Sequence, residues 1–268
     1  MVFVRNSVSE LDESVRNGVV IAGSHAGLNV ALYVANAGLR GVILNDAGNA
    51  AHGSGYAALP VLNDVGIAAV TVSRARALIG VGLEMVRAPI SQVNDLARAC
   101  GVQLGMAGAY AADLLDARAA NNLMLTLGDP DSVGRVILGD RVVGCASICQ
   151  VMPSDREVVL VIGSHPTLLD YYSDMWPLSS LPVAAFFHDG GAGASDLYPV
   201  CVGRVAKLAN YQVPAATIAG YSAEIGNPES MYREGLLNYV NEIGLERGLR
   251  RGMSCLEAVE LCQKVNSF

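Results

Sequence analysis

An unbroken apolar run, Gly18-Val19-Val20-Ile21-Ala22, ends at Gly23-Ser24-His25-Ala26-Gly27, and a similar pattern returns at residues 158–162 followed by Gly163-Ser164-His165. A strand that is apolar at every position has to be buried on both faces. That condition is met in parallel sheets covered by helices. The glycine turn after each run then lies beyond the strand's carboxyl end, where open α/β sheets bind ligands.

The rest of the chain fits this frame. Strands are expected at residues 2–4, 18–22, 41–45 and 67–72, and a helix at 28–37 that ends at Gly38. A glycine-rich loop at 46–55 leads into a helix at 56–65, bent at Pro60. Helical stretches are expected at 81–100, broken at Pro89, and at 107–118. Residues 119–135, with Gly128-Asp129-Pro130-Asp131, read as a linker. A hairpin (135–138 and 142–148), strands at 158–162, 183–187 and 213–218, and helices at 229–247 and 253–265 complete the chain.

Five pairs of anchors recur in order. His25 and His165 are 140 residues apart, and Asp46 and Asp189 are 143 apart. Ile79-Gly80 and Ile225-Gly226 are 146 apart. Asn94 and Asn241, like Met106 and Met253, are 147 apart. A spacing that drifts in one direction is what a few loop insertions produce. The expected fold is therefore α/β, a tandem duplication of a Rossmann-like βαβαβα unit with parallel sheets and pseudo-twofold related halves. The expected domains are 1–128 and 129–268, with the hairpin opening the second.

Composition narrows the function. With 52% hydrophobic and 16% charged residues, the chain has ample material for a core, which argues against disorder. A net charge of −7 without Lys/Arg clusters argues against a nucleic-acid surface, and no nucleic-acid partner is expected. Residues 18–44 are long enough to cross a bilayer and carry only Arg40 as a full charge. Their glycines cut them into strand-sized and helix-sized pieces, so no membrane partner is expected. The start of the chain lacks a basic and then apolar leader, and the six cysteines show no CxxC pairing. Both features point to a cytoplasmic setting with free thiols.

The chemistry-bearing residues gather after the strands. Ser24 and His25 sit where a helix N-terminus favours an anion, with Gly23 and Gly27 permitting close approach. Asp46 and Asp189 end the second strand of each half and can orient a histidine or act as a base. His165 and His188 are the other candidate proton carriers, while His52 reads as a loop bystander. Asn45 stands where the second half has His188, a difference that suggests asymmetric catalysis. Arg74 and Arg76 can grip a carboxylate. Gly48, Ser164 and Gly190 complete the expected substrate-binding set.

These residues suggest a hydrolase or lyase that needs no metal or other cofactor. It would act on a small, anionic, carboxylate- or amide-bearing metabolite in a cleft between the halves. A divalent metal held by His25, His165, Asp46 and Asp189 is one alternative. A nucleotide cofactor is another, since Asp46 follows Gly23 at a dinucleotide-like spacing, although Asn29 replaces a motif glycine. A non-catalytic binding protein is a third. The apolar stretches at 81–118 and 229–265 suggest a homo-oligomer. The two similar α/β halves resemble the architecture of amino-acid and hydantoin racemases of the aspartate/glutamate racemase type. That resemblance implies an isomerase using one cysteine from each half, but no cysteine follows a strand at the matching places here.

Overall fold

The computed structural model describes residues 1–118, 134–168, 178–191 and 199–264. They group into two compact units. Residues 1–49 and 53–118 form the first, while residues 50–52 join those from 134 onward in the second. The expected linker residues 119–133, with the expected 128/129 boundary, lie outside the described residues.

The first unit is a five-stranded sheet of β1 (Val2–Arg5), β2 (Val19–His25), β3 (Gly41–Asn45), β4 (Ala68–Val72) and β5 (Ile90–Val93), in that order. The first four strands are parallel, and β5 runs antiparallel to β4. Stepping sideways in one direction through crossovers of one hand places the connections on one face. Accordingly α1 (Val30–Asn36), α2 (Ala58–Asp64) and the short turns carrying Val8 and Val15 pack on Val20, Ala22, Val42 and Leu44. After β4 the chain changes face. There α3 (Gly82–Met85), α4 (Asp95–Ala99) and α5 (Gly108–Asp116) cover Val19, Ile21, Ile43 and Val70, using Met85, Ala97 and Leu115.

The second unit has six strands: β6 (Arg135–Gly139), β7 (Val142–Cys145), β8 (Val159–Ile162), β9 (Ala184–His188), β10 (Ala215–Ile218) and β11 (Leu237–Val240). They lie side by side in sequence order. Strands β7 to β10 are parallel, and both edge strands are antiparallel to their neighbours. Helix α6 (Gly203–Ala209) packs Val205 and Leu208 on Leu160 and Phe187. On the other face, α7 (Pro228–Glu234) and α9 (Cys255–Lys264) set Met231, Cys255 and Val259 against Val161, Phe186 and Ile218. A short α8 (Glu242–Glu246) follows β11. The protein is thus built on two mixed, mostly parallel α/β sheets.

Two expected helices come apart. Residues 81–100 form α3, β5 and α4, and residues 229–247 form α7, β11 and α8. Ile90-Ser91-Gln92-Val93 and Leu237-Asn238-Tyr239-Val240 mix apolar with polar residues and are only partly buried, which suits a sheet edge. Each is pinned by the asparagine that follows it. Asn94 Oδ1 accepts from Ala69 N (3.1 Å) in β4 and from Ala97 N (2.9 Å) in α4. Its Nδ2 donates to Ile67 O at 2.9 Å. Asn241 repeats this with Ala215 N (3.0 Å), Gly244 N (2.8 Å) and Val213 O (2.9 Å). The span-like segment 18–44 is a strand, a helix and a strand. Among the described residues no helix is long and apolar enough to cross a membrane.

Candidate functional site

The carboxyl ends of β2, β3 and β4 gather the first unit's candidates. Gly23 is required by packing. Gly80 N donates to its carbonyl at 2.7 Å, and a Cβ on Gly23 would lie 2.5 Å from Asn6 O and 2.6 Å from Val81 N. Ser24 is buried, and its Oγ accepts from Val8 N at 3.0 Å, leaving the hydroxyl proton to be donated. His25 is also buried. Its Nδ1 accepts from Gly27 N at 3.0 Å, so the neutral ring carries its proton on Nε2. Ala26 N donates to Asn45 O at 2.9 Å. The expected anion-binding turn at 23–27 is corrected here: β2 runs on through Gly23, Ser24 and His25, α1 starts at Val30, and the N–H groups of Ala26 and Gly27 are committed to the protein itself.

At the end of β3, Asn45 Oδ1 accepts from Ala47 N (2.9 Å) and its Nδ2 donates to Ala77 O (3.1 Å). Asp46 Oδ1 accepts from Gly48 N (2.9 Å) and from Arg74 N (2.8 Å). Gly48 is exposed, Arg74 buried and Arg76 exposed.

The second unit repeats this lattice of bonds. Ser164 Oγ accepts from Ile148 N at 2.9 Å, and Gly226 N donates to Gly163 O at 2.8 Å. His165 is half-buried. His188 Nδ1 accepts from Gly190 N (3.0 Å) and its Nε2 donates to Ala223 O (3.2 Å). Burial pushes the pKa of His188 down, against the opposing pull of the Asp189 carboxylate and the bond to Ala223. Asp189 Oδ1 accepts from Gly191 N (2.8 Å) and Gly220 N (3.0 Å), and its Oδ2 accepts from Asn238 Nδ2 (3.1 Å). His52 is exposed, with Nδ1 3.1 Å from the Glu224 carboxylate.

Setting the two edges side by side shows which contacts the two units share. Asn45 and His188 make equivalent contacts, one to the N–H two residues on and one to a carbonyl in the loop after the next strand. The two aspartates share their Oδ1 role, and Asp189 has the extra bond to Asn238. Ala47 holds a left-handed backbone (φ 48°) where the second unit has Gly190 (φ 62°). Asn49, Ala50 and His52 share that conformation, at φ 70°, 49° and 54°. Left-handed backbone costs a residue bearing a Cβ about 1–2 kcal/mol, and such strain clusters at functional sites. Arg74, whose N–H reaches Asp46, stands where the second unit has Gly220. The loop strain and the serine-to-backbone bonds were not visible in residue spacing.

Among the described residues no group of three or more His, Cys, Asp or Glu side chains is placed to hold a metal ion. Cys145, which ends β7, is fully buried, and desolvation raises its thiol to about 11. No family model matches the chain, and neither does any curated protein or solved structure.

Proposed function

We propose that the protein is a small-molecule enzyme, a hydrolase or lyase acting on a carboxylate- or amide-bearing metabolite, with its chemistry on the first unit's carboxyl edge. Arg74 holds the substrate's anionic group. The Nε2–H of His25 and the hydroxyl of Ser24 donate to the oxygen on which negative charge develops. Asp46 keeps Oδ1 on the backbone and takes the proton on Oδ2. The second edge, where His188 and Asp189 tie neighbouring loops together, serves the fold. We also infer that the two units arose by tandem duplication of one Rossmann-like unit, a reading supported by the matching strand order and hydrogen bonds.

The observation that carries the site assignment is the strained loop after β3. Ala47 keeps a conformation that glycine supplies without strain at Gly190 in the second unit. The test is an NMR screen of purified protein against succinimide, hydantoin, malate and fumarate. With a turned-over compound in hand, Asp46→Asn and His25→Gln should each lower kcat about 100-fold or more with unchanged circular dichroism. Wild-type rates in both variants would sink the assignment. One observation favours a second reading, a binding protein without turnover: Ser24 Oγ and His25 Nδ1 already accept backbone N–H groups. Recovery of a bound compound unchanged after long incubation would select it.

A further inference from the structure

The two units differ at the opposite, amino end of their sheets. In the first, the corner beside β3 is filled. Arg40 pairs with Asp116 of α5 at 3.0 Å. Its Nε donates to Asn17 O at 2.7 Å, and its Nη1 donates to the carbonyls of Asp116 (3.0 Å) and Arg118 (2.8 Å). The protonated amino group of Met1 also meets Asp116.

In the second unit the chain enters β9 by the same backbone bond. Val183 N donates to Val158 O at 2.9 Å, as Arg40 N donates to Gly18 O at 3.0 Å. The side chain there is now a valine. The residue matching Asp116 is Gln263 of α9, at the 147-residue spacing shared by Met106 and Met253. Gln263 Nε2 donates to Asp140 O at 2.5 Å. Without the Arg40–Asp116 pair, a cavity of about 300 Å³ opens, floored by Val142, Val159 and Val183, walled by Tyr232 and rimmed by Glu157 and Glu260. Arg141, from the β6–β7 turn, takes up part of the role of Arg40, donating through Nε to Glu157 O at 2.8 Å with its Nη2 3.9 Å from the Glu157 carboxylate. Asp140, Glu157 and Glu260 outnumber Arg141 and Lys264 among the lining residues, so the rim is net negative.

We propose that this cavity binds a small organic cation, a guanidinium or primary ammonium group on a short alkyl chain. The head group takes the role that Arg40 plays in the first unit, and the chain lies on the three valines. The site is on the other end of the sheet from the edge of the second unit that bears His188, and it does not depend on the enzymatic reading.

The test is calorimetric titration of the full chain with n-butylguanidinium and n-butylammonium, with butyrate as the anionic control. Saturable one-to-one binding of either cation, at least about tenfold tighter than butyrate, is expected. Glu260→Gln should weaken it about fivefold or more. The double variant Val183→Arg/Gln263→Asp, which copies the first unit's filling, should abolish it. Should the double variant not fold, Glu260→Gln decides. The proposal is overturned by no saturable binding up to about 10 mM, by equal binding of butyrate, or by cation binding that survives unchanged in Glu260→Gln or in the folded double variant.

Discussion

Asn45 and His188 meet one local requirement with two chemistries: to hold a turn's N–H and a neighbouring loop's carbonyl at the end of a buried strand. The amide does so at every pH, and the imidazole only while neutral. Burial sets the folded-state pKa of His188 below its free value of about 6.5. As pH falls past that value, the unfolded chain takes up a proton at this residue and the folded chain resists. The stability contributed by His188 is therefore complete above about pH 6.5 and lost as pH falls below it, by up to ~1.4 kcal/mol per pH unit. His188→Asn, the first unit's own solution, should fold and show a shallower loss of stability between about pH 7.5 and 5.5, read by urea unfolding. An identical slope in variant and wild type would rule this out. His188→Ala leaves Gly190 N and Ala223 O without this partner and opens a cavity, at about 3 kcal/mol. In the sequence this pair looked like a division of catalytic labour. That these residues lie near the carboxyl ends of strands was legible in it. Their hydrogen-bond partners were not, because Ala77 and Ala223 lie more than thirty residues away and carry no side-chain signal.

At the scale of elements, the loop after β3 and the edge strands show where local sequence is informative. Strands β2, β3 and β4 are buried along their whole length and were readable from their apolar, β-branched runs. Strands β5 and β11 are four residues long, half polar, and flanked by short helices, so their pattern is no stronger than a helical one. What identifies them is tertiary: the reach of Asn94 to β4 and of Asn241 to β10. Asn94→Asp keeps the acceptor for Ala69 and Ala97 but loses the donor to Ile67 O and sets a carboxylate against that carbonyl. It should lower stability by about 2–3 kcal/mol, with Asn241→Asp doing the same in the second unit; chemical denaturation measures both. The loop gives the opposite sign. Ala47→Gly relieves the left-handed strain at a small entropic cost in the unfolded chain, for a net gain of up to ~1 kcal/mol. If the strain is kept for function, the same change should lower turnover, and a gain in both stability and rate would show that the loop serves no such purpose.

For the whole molecule, the cysteines provide a reporter that needs no substrate. Cys149 is exposed and Cys100 half-buried, whereas Cys145, Cys201, Cys255 and Cys262 are buried, all four in the second unit. Desolvation raises the thiols of Cys145 and Cys262 to about 11 and pushes that of Cys255 up further. At about pH 8 only ~0.1% of a thiol with a pKa near 11 is thiolate, the reactive form, and burial blocks the reagent as well. Alkylation of the native protein should therefore mark Cys149 within minutes and Cys100 more slowly. The four buried thiols react only when the second unit opens, at a rate set by the free energy of opening. That makes them a check on the His188 clamp. A loss of about 3 kcal/mol in His188→Ala corresponds to roughly a 100-fold larger open population. Peptide mass spectrometry should then show the four buried cysteines labelling about 100-fold faster in the variant, with Cys149 unchanged. Labelling of all four at the wild-type rate would mean that the clamp does not secure the sheet it closes.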